Sequence, residues 1–155
     1  QGWLYGIFEA RIKLPKGKGT WPAFWMMPCN NDFVANPWPK CGEIDIMEEV
    51  GVNPNYTSSS LHTEKFNHVM GTQITKERLT AGAEDGFHVY RLEWTPDYIK
   101  TYVDGKEVGS WPFNKPFYVI LNLAWGGDWG GKKGVDESAL PVQMEVDYVR
   151  VFQKK

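Results

Sequence analysis

Glu43 and Glu48 stand five positions apart in Gly42-Glu43-Ile44-Asp45-Ile46-Met47-Glu48-Glu49-Val50, with Asp45 between them. Carboxyl groups gathered on one surface can do what a lone carboxylate cannot. Their mutual repulsion drives their pKa values apart, so near neutral pH one stays protonated as an acid while another stays ionised as a nucleophile. Cleavage of a glycosidic bond needs that division. When the two working groups stand about 5 to 5.5 Å apart, one attacks the anomeric carbon and the other protonates the leaving oxygen, with retention of configuration.

Parity opposes this at first sight. In a regular strand Glu43, Asp45 and Met47 share one face, and Glu48 points the other way. One extra residue, a β-bulge near Ile46 or Met47, turns Glu48 toward Glu43 and Asp45 and leaves Ile44 for the core. Two other readings suit the same acids: an exposed edge strand guarded against aggregation, and a calcium loop. Ile, Ile, Met and Val prefer a strand, whereas hard-ion loops alternate acids with Gly and Asn in a flexible turn.

The segment Gly42–Glu48 resembles the active-site motif of the family-16 glycoside hydrolases in its bulged, laminarinase-like form. Tyr5–Leu14, Gly19–Pro28, Asn122–Gly127 and Val146–Val151 resemble that family's segments in their usual order, so the likeness covers nearly the whole chain. It implies Glu43 as nucleophile, Glu48 as general acid/base and Asp45 as the partner that orients Glu43. The implied activity is a retaining endo-β-glucanase acting on β-1,3 or mixed-linkage β-1,3-1,4-glucan, with no catalytic cofactor. Plant transglycosylases of the family have no residue matching Met47, while agarases and carrageenases share the bulge. The same chemistry on a galactan, or a non-catalytic binding module or lectin on the same sandwich, are the rival readings.

The elements that must position these acids read as β throughout. Gly and Pro punctuate short alternating runs, giving expected strands over 5–14, 23–27, 43–50, 57–62, 69–75, 87–95, 98–103, 117–124 and 142–152, with no helix required. In 87–94 the alternation puts Phe87, Val89, Arg91 and Glu93 on one face and His88, Tyr90, Leu92 and Trp94 on the other, one of them more apolar. Asp104-Gly105 is a favoured two-residue hairpin turn. The expected fold is all-β, a curved antiparallel sandwich of two sheets (a concanavalin-like jelly roll), formed as a single catalytic domain over 1–155. The resembling family carries several strands before the segment that opens this chain. The sandwich is therefore expected to be incomplete here, and to be completed by a complementary N-terminal fragment, a strand-exchanged oligomer or a longer parent chain.

With 155 residues, eight Trp, seven Tyr and eight Phe, the chain can bury a core. A formal net charge of -2, with lysines scattered as Lys16/Lys18, Lys132/Lys133 and Lys154/Lys155, lacks the basic field that nucleic acid requires. No stretch approaches the roughly 20 apolar residues of a membrane helix. Cys29 and Cys41 flank a Pro-containing loop that a disulfide worth about 3 kcal/mol could close; two buried thiols fit equally.

A glucan cleft needs indole faces for sugar C–H surfaces and polar groups for hydroxyls. Trp21 and Trp38 resemble the family's cleft tryptophans. Trp125, in a Gly-rich turn, is a further candidate, ahead of Trp25 and Trp129. His62 lies where the family often has a cleft-facing residue, or else is a structural histidine. Asp147 resembles a position that helps hold a structural calcium away from the cleft, or pairs with Arg150 or a Lys. A polymeric substrate implies a secreted, periplasmic or cell-surface protein.

Overall fold

A computed structural model describes residues 2–111 and 116–153, so Lys154 and Lys155 lie outside the described residues. The strands are β1 (Gly6–Lys13), β2 (Thr20–Pro28), β3 (Glu43–Glu48), β4 (Tyr56–His62), β5 (Ile74–Leu79), β6 (His88–Trp94), β7 (Ile99–Val103), β8 (Lys106–Trp111), β9 (Phe117–Trp125) and β10 (Glu145–Phe152). One sheet runs β10-β1-β6-β7-β8 and the other β5-β4-β3-β2-β9, all pairings antiparallel. This is the two-sheet sandwich that the alternation implied.

Period-2 patterning explains why the sheets stack. Phe8, Ala10 and Ile12 of β1 and Tyr90, Leu92 and Trp94 of β6 turn inward, where they meet Phe24 and Met26 of β2 and Ile44, Ile46 and Met47 of β3. Each fully buried large side chain contributes about 1.5–3 kcal/mol. Asp104 and Gly105 take φ of 49° and 76° between β7 and β8, as the primed two-residue turn demands.

Three expectations need correction. The run 69–75 is not a strand: Val69 and Met70 are exposed, and pairing begins only at Ile74. Asn67, itself buried, explains why. Its Nδ2 donates to the Thr63 and Glu64 carbonyls and its Oδ1 accepts from Met70 N–H, so side-chain bonds capture the backbone that a ladder would have used. The last strand begins at Glu145, not Val142, and a short helix α1 (Gly127–Gly130) and a 3-10 turn (Glu137–Ala139) intervene where no helix was expected. Of the two readings left open for Cys29 and Cys41, the structure has thiols and no disulfide between them; Cys29 is half-buried, and the buried Cys41 Sγ lies 3.5 Å from the Gly42 carbonyl.

Candidate active site

The strand β3 is bulged where parity demanded it. Against β2, Phe24 faces Met47 but Trp25 faces Asp45, which leaves Ile46 as the extra residue. Against β4, Asp45 faces Ser60 and Glu48 faces Ser58, so Ile46 and Met47 together oppose Ser59. Ser59 Oγ donates to the Ile46 carbonyl at 2.8 Å, satisfying a group that the interrupted ladder would leave bare. Ile46 and Met47 both sink into the core, at 2% and 1% exposure. Glu43, Asp45 and Glu48 thereby share a face with Trp21 and Trp25 of β2 and with Ser58, Ser60 and His62 of β4. The small serines leave room above the acids.

Electrostatics separates the three carboxyls. Burial raises Glu43, but hydrogen bonding from Asp45 and the Trp38 indole opposes that rise. Asp45, 2% exposed, is pushed well above the usual carboxylate range by burial and then by the charges of Glu48 and Glu43. The hydrogen bond between the two raises Asp45 and lowers Glu43, so a proton held between them sits on the Asp45 side. Glu48 is raised to about 7, chiefly by burial, with Trp21 opposing and Glu43 adding to the rise. Of the three, Glu48 is the carboxyl carried to about 7, where it can give or take a proton near neutrality.

His62 Nε2 lies 3.2 Å from Asp45 Oδ2 and 3.9 Å from Glu43 Oε1. Burial, then the neighbouring His68, lowers its pKa to about 4, so at neutral pH these close approaches are not ion pairs. The Asp45 oxygen also lies off the direction of any hydrogen bond, and His62 Nδ1 has no partner. Both Trp38 and His68 pack against His62: Trp38 lies 5.7 Å from it and 4.8 Å from His68, centroid to centroid. Trp38 Nε1 meets no acceptor in full hydrogen-bond geometry. It still lies near enough to Glu43 to favour the anion.

Trp21 Nε1 donates to Glu48 Oε1 at 2.9 Å, and Trp129 packs edge-on against Trp21 at 5.7 Å. Trp25 Nε1 donates to Asn122 Oδ1 at 2.7 Å on the same face. Trp125 is not brought to the acids. The register sets it opposite Thr20, on the side of the sheet away from Trp21, near Gly19 and Val135. Sequence reasoning missed Ser58, Asn122 and His68. Ser58 and Asn122 could have been found from strand register, whereas His68 carried no periodic signal.

The family profile described as "Glycosyl hydrolases family 16" matches residues 1–150. The chain belongs to this family. It is 45% identical to the beta-glucanase of Rhodothermus marinus, over 97% of this chain and 58% of that protein. Among solved structures, the laminarinase from Rhodothermus marinus superposes with a TM-score of 0.93 at 43% identity, covering 99% of this chain and 67% of the other. SCLam, a non-specific endo-beta-1,3(4)-glucanase, gives 0.91 at 44% identity over 100% and 60%. The chain thus spans a little over half the length of the beta-glucanase it matches.

The calcium that the family-16 resemblance implied at Asp147 does not fit the residues described. The carboxylate is engaged by Arg11 Nη1 at 2.7 Å, and a cationic neighbour opposes a bound cation. The one group of three acid, His or Cys ligands gathered among the described residues is Glu43, Asp45 and His62, in the cleft itself.

Glu49, next to Glu48, points the opposite way into the sandwich at 1% exposure. Its Oε1 accepts from Asn55 N–H, while Oε2 has no partner. Burial, then the charge of Glu84, raises it to about 8. A carboxyl raised on folding stabilises fully below its unfolded pKa near 4.5, and that contribution is lost as pH rises through about 8. Thermal melts at pH 5 and pH 8 should show the melting temperature falling with pH. Glu49→Gln keeps the acceptor and should remove much of the fall, on the order of a few kcal/mol at about 1.4 kcal/mol per pKa unit. An equal fall in the variant would refute this account.

Proposed function

We propose that the chain is the catalytic domain, over 1–155, of a retaining endo-β-glucanase that hydrolyses β-1,3 or mixed-linkage β-1,3-1,4-glucan. The observation that carries the proposal is the bulge that brings Glu43 and Glu48 to one face, with Asp45 and Trp38 opposing the rise that burial gives Glu43 and with Glu48 raised to about 7. Glu43 attacks the anomeric carbon while Glu48 protonates the departing oxygen, leaving a glycosyl ester on Glu43. Glu48, now ionised, takes a proton from water, and that water displaces Glu43 from the opposite side. Two inversions give net retention. Asp45 lends its proton to Glu43 in the resting state and lets the ester oxygen go as charge leaves it.

Supporting the glucan is the kinship with the beta-glucanase and laminarinase of Rhodothermus marinus. A variant of SCLam was crystallised with a 1,3-β-D-cellobiosyl-glucose at its active site. Trp38 supplies an indole at the cleft beside His62 and His68. The carboxyls supply the chemistry without a cofactor. A polymeric glucan places the work outside the cytoplasm, in a secreted, periplasmic or cell-surface protein. Apolar residues exposed along edge strand β10, among them Val149 and Phe152, support a covering segment, either a complementary fragment or an exchanged strand.

The test is reducing-end release from laminarin, barley glucan, lichenan, agarose and xyloglucan, with proton NMR of the first anomer formed. Laminarin and the mixed-linkage glucans should be cut, giving the β-anomer first. Release of the α-anomer first would overturn the mechanism, and agarose cleavage alone would overturn the substrate.

A further inference from the structure

Trp21, expected to stack on a sugar, is committed elsewhere. Its Nε1–H points at Glu48 Oε1 from 2.9 Å, and the turn around α1 packs flush against the ring. A Cβ at Gly130 would come within 3.0 Å of Trp21 Cβ and 3.3 Å of the Gly19 carbonyl, and one at Gly127 would stand 3.6 Å from the ring. Trp129 closes the edge at an interplanar angle of 83°. The indole is held from the side and cannot swing freely.

An indole N–H is a donor only. The Glu48 oxygen that accepts from it cannot also direct a proton back at it, so the transferable proton belongs on Oε2. We propose that Trp21, braced by the glycine turn of α1, is a positioning residue that makes Glu48 Oε2 the oxygen that hands the proton to the leaving group and recovers it from water. This rests on the reading of Glu48 as acid/base.

The surroundings agree. Burial raises Glu48 and the Trp21 bond is the largest influence opposing it. Of the groups around Glu48, Glu43 on the same strand raises it further, and Asp45 is itself pushed well above the usual carboxylate range. On β4, Ser58 does not titrate and His62 is neutral above about pH 4. On α1, Asp128 is exposed to solvent.

Trp21→Phe keeps a ring and removes the donor. Loss of a bond that stabilises the anion raises the Glu48 pKa, so the alkaline limb of kcat on laminarin should move up by about one pH unit. The maximal kcat should fall about tenfold with KM within about twofold, as misdirection of one proton transfer predicts. A 2,4-dinitrophenyl glycoside, whose leaving group needs no proton, should react with the variant at the parent rate in the first step. A raised KM with an unmoved pH profile would overturn the proposal and return Trp21 to sugar stacking.

A second measurement does not depend on that variant folding. The Trp21 indole 15N–1H resonance in the unsubstituted protein should titrate near pH 7, and the titration should vanish in Glu48→Gln. A resonance that ignores pH, or that titrates equally in Glu48→Gln, overturns the proposal. Full laminarin hydrolysis by Glu48→Gln would instead remove the acid/base reading itself, an outcome distinct from any shown by Trp21→Phe alone.

Discussion

Glu43→Ala should lower laminarin hydrolysis by about three orders of magnitude or more, because the route through a covalent ester closes entirely. At about 1.4 kcal/mol per tenfold, that is a loss of roughly 4 kcal/mol of transition-state stabilisation. The fold should survive, since the Glu43 side chain is 17% exposed and lies outside the core cluster. The informative arm is rescue with azide. In the space left by Glu43 a small anion attacks from the nucleophile's side while Glu48 still supplies its proton, so a single inversion yields the α-glycosyl azide. NMR of the product reads the result directly. Azide product of β configuration, or unimpaired hydrolysis, would show that Glu43 is not the nucleophile.

Glu48→Ala should fail differently. Without its acid the enzyme cannot expel a sugar alkoxide, so laminarin turnover should fall about 10²–10⁴-fold. A dinitrophenyl leaving group needs no such help, and the glycosyl–Glu43 ester should form at nearly the parent rate and then accumulate. Azide, attacking from the side where water is normally activated, gives two inversions and the β-glycosyl azide. The pH profile changes as well. On the proposed route the protonated form of Glu48 is required for the first step, so activity of the parent on laminarin should decline as pH rises through about 7. The variant should lose that decline. Persistence of the alkaline limb in Glu48→Ala would assign it to another group and remove Glu48 from the acid's role.

Much of the scaffold was legible because it depends on local rules. Alternation in β6 set His88, Tyr90, Leu92 and Trp94 on one face, and the last three of these are the ones in the core. Asp104-Gly105 foretold a hairpin because only its φ values suit the strand twist. The bulge was legible for a subtler reason: Ile44 had to reach the core while Glu43, Asp45 and Glu48 had to avoid it, and only an added residue reconciles both.

What escaped depends on partners distant in sequence. The segment after His62 has strand-like Val69 and Met70, but the amide of Asn67 claims the backbone first. Trp125 belongs to the opposite face because β9 pairs with β2 in a register that no local pattern announces. Trp21 reads as a sugar platform from the sequence, and its bond to Glu48, across 27 positions, carried no local signal. His68 reaches Trp38 and His62 only because its loop folds back over the cleft.

The paired residues Ile46 and Met47 set against Ser59 make the geometry of this site a matter of counting. Both side chains lie in an apolar interior that accepts exchanges of similar volume at modest expense. An in-frame loss of one codon there is another matter, since it swings Glu48 through half a turn into the space Met47 fills. Mutational drift can thus rewrite the spelling of these two positions far more freely than their number, and libraries that randomise identity should retain function where those that vary length do not.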